Sequence, residues 1–249
     1  MATPPKKSLR CVALALGDSI TQYGFAEKLL PPNSGYAAPS FPQSVGVGWV
    51  GLVADNYSRK ADLINRGFSG YNTRKVAAVL DRVLEDFPDG GLLFATLLLG
   101  TNDSVPDAGV QDALCSHVPL EEYETNLKRI VSALRTKTSK VVLLSPPPVD
   151  EAGIAIGGRT NDVTSSYAAV CERTAETLGL IFVDTFTTMR SRDDANEMLF
   201  DGVHLSAKGN AFVAKLVIDK LAEDATLDPE GLAWDLPGWR DLDRFNPQL

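Results

Sequence analysis

The segment Leu16-Gly17-Asp18-Ser19-Ile20-Thr21 follows a short apolar run, so Ser19 stands where a strand ends and the chain turns. A hydroxyl held there is exposed and rigid, and the neighbouring backbone N–H groups can aim at a developing oxyanion. Serine becomes a nucleophile when a base takes its proton, and histidine is the usual base near neutral pH. The chain has 2 histidines. His117 lies in a polar loop after Cys115 with no carboxylate patterned around it, and reads as a surface residue. His204 lies in Phe200-Asp201-Gly202-Val203-His204-Leu205-Ser206, where one turn through Gly202 brings the Asp201 carboxylate to the imidazole. Such a carboxylate fixes the tautomer and stabilises the imidazolium formed on proton transfer. Each segment alone also has a plainer reading. Ser/Asp turns often cap helices, which by itself outweighs a nucleophile at Ser19. Asp201 and His204 could equally satisfy backbone groups in a loop before a helix.

Two further segments sit at strand ends. Asn65-Arg66-Gly67-Phe68-Ser69-Gly70-Tyr71-Asn72-Thr73 follows one apolar run, and Leu99-Gly100-Thr101-Asn102-Asp103 follows another. Glycine lets backbone N–H groups approach a ligand closely, and the asparagine side chain supplies a neutral donor, which a tetrahedral oxyanion needs. Singly these too read as turns. Four such features at four strand ends are much harder to dismiss.

The elements that must position them are short apolar runs alternating with amphipathic stretches. Strands are expected over Val12–Leu16, Asp62–Asn65, Leu92–Leu99, Val141–Ser145 and Ile181–Asp184, several apolar throughout, as strands covered on both faces are. Tyr123, Leu127, Ile130, Val131 and Leu134 recur at helical spacing. A second helix over Ser165–Leu178 stops at Gly179, suited to the left-handed position after a helix. A third follows Ser206, a plausible N-cap. This alternation predicts an α/β fold with a parallel sheet and helices on both faces, whose reactive groups gather on loops at the carboxyl ends of the strands. One domain over 1–249 is expected, with a proline-rich loop over 25–48 and a tail over 227–249 that wraps the domain and buries Trp234 and Trp239. The arrangement around Ser19 is not Gly-x-Ser-x-Gly, so the α/β-hydrolase elbow does not apply.

A 44% apolar fraction over 249 residues suffices for one sizeable core. A net charge of −8 argues against nucleic acid and against an anionic membrane as partner, and no apolar run approaches membrane-spanning length. The first ten residues are polar and basic, and the run Cys11–Leu16 is too short for a signal peptide. The 3 cysteines, Cys11, Cys115 and Cys171, are scattered and read as reduced thiols of a cytoplasmic protein, with no disulfide framework or metal site.

The Gly-Asp-Ser block, the glycine of the second block, the Gly-x-Asn-Asp block and Asp201-x-x-His204 resemble, in order, the four signature blocks of the SGNH (GDSL) hydrolases, from Gly17 to His204. Within that family the chain is similar to eukaryotic isoamyl-acetate-hydrolysing esterases, on Asn65 to Arg74, Ser145-Pro146-Pro147-Pro148 and Trp239-Arg240-Asp241-Leu242-Asp243. That resemblance implies a three-layer α/β/α sandwich with a five-stranded parallel sheet, flavodoxin-like in its winding. It implies Ser19 as nucleophile, His204 as base and Asp201 as its orienter, with the Ser19 N–H, the Gly70 N–H and the Asn102 side chain as oxyanion donors. The substrate it implies is a small, short-chain carboxylic ester of the acetate type, hydrolysed without metal or organic cofactor. Rival readings are a carbohydrate O-acetyl esterase or an acyltransferase with the same triad, or a silent binding protein on this fold. A homodimer is left open. Thr101 stands where many members carry glycine, and the 25–48 loop is longer than in close relatives. That loop offers Phe25, Tyr36 and Phe41 as candidates for an apolar substrate wall.

Overall fold

The computed structural model of the chain describes residues 10–25, 46–107, 116–153 and 157–241. Five strands, β1 (Cys11–Gly17), β2 (Ala61–Gly67), β3 (Leu92–Leu98), β4 (Val141–Leu144) and β5 (Ile181–Val183), form one sheet in the order β2-β1-β3-β4-β5. All pairs are parallel. The expected strands are therefore present. Three of them stop one residue early, at Leu98, Leu144 and Val183, where the chain turns away to build loops and caps.

The helices are α1 (Ser19–Gln22), α2 (Trp49–Asn56), α3 (Thr73–Leu84), α4 (Leu120–Lys137), α5 (Asn161–Leu178), α6 (Thr185–Arg190) and α7 (Ala207–Ala222). Side chains alternate across each strand, and here both sides are apolar. Leu14, Leu16, Ala95, Leu97 and Leu143 face α3, α4 and α5, where Leu80, Tyr123, Leu127 and Tyr167 cover them. Ala13, Ala15, Phe94, Leu98 and Leu144 face α2 and α7, where Trp49, Val53, Val213 and Val217 close the second core. This is the expected three-layer α/β/α sandwich. Gly179 ends α5 in the left-handed region at φ 61°, and Ser206 caps α7 by accepting from the Gly209 N–H.

Sheet order β2-β1-β3 reverses direction at β1, so the connections leaving β1 and β3 diverge to opposite faces. A crevice opens there outside the carboxyl ends of the strands. Three of the four candidate segments leave the sheet at that end, after β1, β2 and β3; the fourth, Phe200–Ser206, was also expected at a strand end but lies between α6 and α7.

The tail differs from expectation. Trp234 and Trp239 are 56% and 81% exposed. Leu227 makes the anchor instead: it is fully buried, and its carbonyl accepts a hydrogen bond from the Tyr57 hydroxyl. Further along, Asp235 pairs with Arg10 at 2.6 Å, its N–H donates to the Arg59 carbonyl at 2.7 Å, and the Arg59 guanidinium lies over the Trp234 ring. Polar and cation–π contacts at the sheet edge hold the tail, so its indoles have no core to enter. Tyr36 and Phe41 of the long loop, Cys115 and Phe245 lie outside the described residues.

Candidate active site

Ser19 is the first residue of α1, directly after β1. Asp18 caps that helix, its Oδ1 accepting from the Ile20 N–H at 2.9 Å. The plainer reading of this turn as a cap is therefore correct. The same turn leaves the Ser19 hydroxyl 2.9 Å from His204 Nε2.

His204 is held by a closed loop. Leu199 and Leu205 pair as an antiparallel bridge, and the Phe200 N–H donates to the His204 carbonyl at 3.0 Å. Inside the loop Gly202 takes φ 93°, a conformation other side chains rarely adopt. An added Cβ there would lie 2.6 Å from Gly153 Cα, so the turn needs glycine twice over. The result places Asp201 Oδ2 2.7 Å from His204 Nδ1, while Oδ1 accepts from the Val203 and His204 N–H groups at 3.0 and 2.7 Å. Burial works against charge on Asp201, but the imidazole bond and the two backbone donors outweigh it and hold its pKa below the ordinary value. Asp201 is thus an anion at neutral pH, with three donors fixing its plane.

The opposite shift occurs on the other side of the serine. Burial pushes the Asp18 carboxyl up to about 7 against the Ile20 N–H and the nearby His204. Burial likewise pushes Asp103 up to about 6, against its bonds from the Thr73 N–H and hydroxyl. Asp18 Oδ2 and Asp103 Oδ2 find no hydrogen-bond partner among the described residues. Of these three carboxylates, Asp201 alone has its pKa lowered, and it is the one that touches the imidazole.

Gly70 and Asn102 arrive from the loops after β2 and β3. Gly70 takes φ 76°, and its N–H, like that of Ser19, donates to no other described backbone group. Asn102 Nδ2 donates to the Tyr71 carbonyl at 2.8 Å, which ties the two loops together and occupies one of its two N–H bonds. Asn65 fastens β2 to α1, its Nδ2 on the Thr21 carbonyl at 2.6 Å and its Oδ1 on the Gly67 N–H at 2.8 Å.

Several residues of the site carry no sequence signal of their own. The Tyr23 and Phe200 rings flank His204 with centroids at 5.7 and 5.8 Å. Arg159, in the connection from β4 to α5, donates to Asn102 Oδ1. Phe25, the one described member of the expected apolar wall, is 47% exposed beyond Tyr23. His117, expected at the surface, is half-buried, and its Nδ1 lies 2.8 Å from the Val105 carbonyl. Its ring is bonded away from Ser19.

Chemically, an imidazole within 3.2 Å of a hydroxyl can take its proton as that oxygen attacks, and an anion on the far nitrogen stabilises the resulting charge. A doubly wound α/β sheet with a serine coupled to imidazole and carboxylate at its carboxyl edge defines a class, the serine hydrolases of this winding. Comparison with known proteins agrees. The chain belongs to the GDSL-like lipase/acylhydrolase family, whose model matches residues 15–212, and it is an enzyme of that esterase/lipase class. It is 34% identical to the mouse isoamyl acetate-hydrolyzing esterase 1 homolog, over 95% of this chain and 90% of the relative. It is 36% identical to a GDSL esterase/lipase of Arabidopsis thaliana, over 80% and 88%. Among solved structures, a lipase/acylhydrolase from Enterococcus faecalis superposes with a TM-score of 0.64 at 19% identity, covering 86% of this chain and 96% of that one. An acetylxylan esterase from Geobacillus stearothermophilus does so at 0.61 and 23%, covering 85% and 95%. Among the described residues no helix is long and apolar enough to cross a membrane.

Proposed function

We propose that the protein hydrolyses short-chain carboxylic esters of the acetate type, with Ser19 as nucleophile, His204 as general base and acid, and Asp201 orienting the imidazole. The observation that carries this is the unbroken hydrogen-bond chain from Ser19 Oγ through His204 to Asp201, at 2.9 and 2.7 Å. Ser19 Oγ attacks the ester carbonyl carbon while His204 Nε2 takes its proton. The oxyanion that forms is met by the N–H groups of Ser19 and Gly70 and by the Asn102 amide. The C–O bond to the alcohol then breaks as His204 returns the proton to the leaving oxygen. Water repeats the sequence on the acyl-serine, releasing the acid and restoring Ser19. Proton transfer of this kind contributes roughly a hundred- to ten-thousandfold, and each oxyanion donor a comparable factor.

A small acyl group is supported by the relatives named for isoamyl acetate. The odd count of scattered cysteines supports a cytoplasmic location, which cell fractionation checks. A fluorophosphonate probe tests the chemistry: it should label the wild type and leave Ser19→Ala unlabelled, and equal labelling of both refutes the assignment. A panel of alkyl acetates, longer acyl esters and acetylated sugars tests the substrate. Higher kcat/KM on acetylated sugars than on any alkyl acetate refutes the alkyl ester reading and favours a carbohydrate O-acetyl esterase.

A further inference from the structure

Arg159 belongs to none of the four sequence blocks, yet it reaches into the third. It is half-buried at the end of the connection from β4, just before Thr160, the cap of α5. Its Nε donates to the Thr101 carbonyl at 2.7 Å and its Nη2 to Asn102 Oδ1 at 3.1 Å. We propose that Arg159 is a positioning residue that decides which end of the Asn102 amide faces Ser19. The proposal rests on the reading of Asn102 as an oxyanion donor.

The two ends of an asparagine amide have almost the same shape and opposite hydrogen-bonding character. Shape alone therefore cannot choose between a site offering N–H to an oxyanion and one offering a carbonyl oxygen that repels it. Here both neighbours are one-way groups. A guanidinium only donates, so it takes Oδ1. The Tyr71 carbonyl only accepts, so it takes Nδ2, at 2.8 Å. A flipped amide would set N–H against N–H and oxygen against oxygen, losing both bonds together. In the observed orientation one Nδ2 hydrogen is used on Tyr71 and the other is left for substrate.

The planar fork of arginine adds a second constraint. By bonding the Thr101 carbonyl and the Asn102 side chain at once, it fixes the backbone that carries the amide as well as the amide itself. A lysine, with a single ammonium centre, cannot hold two acceptors in one plane in this way. The guanidinium charge also reaches the nucleophile's turn, where it acts on Asp18 in the sense that favours an anion.

The test is a double-mutant cycle with Asn102→Ala, Arg159→Ala and the pair, measured as kcat and KM on an alkyl acetate with thermal melts alongside. Asn102→Ala should lower kcat roughly a hundredfold or more at nearly constant KM, as loss of one oxyanion donor does. Arg159→Ala should lower kcat at least about tenfold with KM within about twofold, and in the Asn102→Ala background it should cost less than about twofold more. Arg159→Lys should restore only part of the loss. Unchanged kcat in Asn102→Ala removes the oxyanion reading and the proposal with it. A loss in Asn102→Ala with none in Arg159→Ala overturns the proposal alone, as do losses that multiply in the double variant. Should Arg159→Ala fail to fold, Arg159→Lys takes its place in the cycle. Full activity there, or a loss that multiplies with Asn102→Ala, overturns the proposal.

Discussion

Asparagine at position 201 would change the role of a single atom and leave the volume almost untouched. Asp201 Oδ1 accepts two backbone N–H bonds, from Val203 and His204, and Oδ2 accepts one from His204 Nδ1. In Asp201→Asn the remaining oxygen stays on the two N–H groups, because the alternative sets an amide NH2 against both. The NH2 then faces Nδ1 as a donor, so the imidazole must accept there and carry its proton on Nε2. A protonated Nε2 cannot take the proton of Ser19. The corresponding change in a serine protease lowers kcat about ten-thousandfold, or roughly 5 kcal/mol of transition-state stabilisation. The backbone bonds survive, so stability should fall only by the lost charge-assisted bond, about 1.5–3 kcal/mol. Asp201→Ala instead strands both N–H groups at a position 3% exposed, adding about 1–3 kcal/mol for each. Steady-state kinetics on an alkyl acetate and thermal unfolding of both variants check this. Asp201→Asn should be the more stable of the two and still lose kcat by about a thousandfold or more. If it keeps more than about a tenth of wild-type kcat, Asp201 does not set the tautomer and the reasoning fails.

Ser19→Ala and His204→Ala should each remove nearly all ester hydrolysis, and the double variant should lose little more; additive losses speak against one catalytic unit. His117→Ala should retain near-wild-type kcat, since its ring bonds the Val105 carbonyl, and a large loss would reverse the choice of base. Asp18→Asn should change the pH dependence of stability. Because the Asp18 carboxyl is raised from 3.8 to about 7 in the fold, its contribution is complete below the lower value and is lost as pH rises to the upper one. Asp18→Asn keeps an oxygen for the Ile20 N–H, so its stability relative to wild type should climb over that interval by a few kcal/mol at about 1.4 per pH unit. A flat difference in chemical denaturation across the interval refutes the raised pKa. Gly202→Ala should destabilise by about 1–3 kcal/mol from strain at positive φ and depress kcat through the Asp201–His204 loop; an unchanged melting temperature and kcat contradict the turn's need for glycine.

Much of this protein is legible without coordinates, because its signals are local. The strands are dense apolar runs, Gly179 and Ser206 mark helix ends through their own backbone and side chain, and Asp201 reaches His204 within one turn. The α3 helix was legible too, in Val76, Ala77, Leu80, Val83 and Leu84 after the Asn72 cap. The tail's tryptophans show the limit of composition: an indole is not buried unless the fold leaves it a core, and here Arg59 and Asp235 hold the segment outside one.

The chemistry of the four blocks, their order and the place of the first three at strand ends are properties of the residues themselves. Their meeting is not. Ser19 and His204 are 185 positions apart, and Asn102 takes its partners from the loops after β2 and β4. The order β2-β1-β3-β4-β5 sets all these loops side by side. That order depends on which parallel neighbours bury their shared faces best, a choice made by packing across the whole sheet that no local pattern encodes. Only the folded sheet could therefore show that Tyr23 and Phe200 flank the imidazole, that burial raises the Asp18 carboxyl to about 7, and that Arg159 reaches the Asn102 amide.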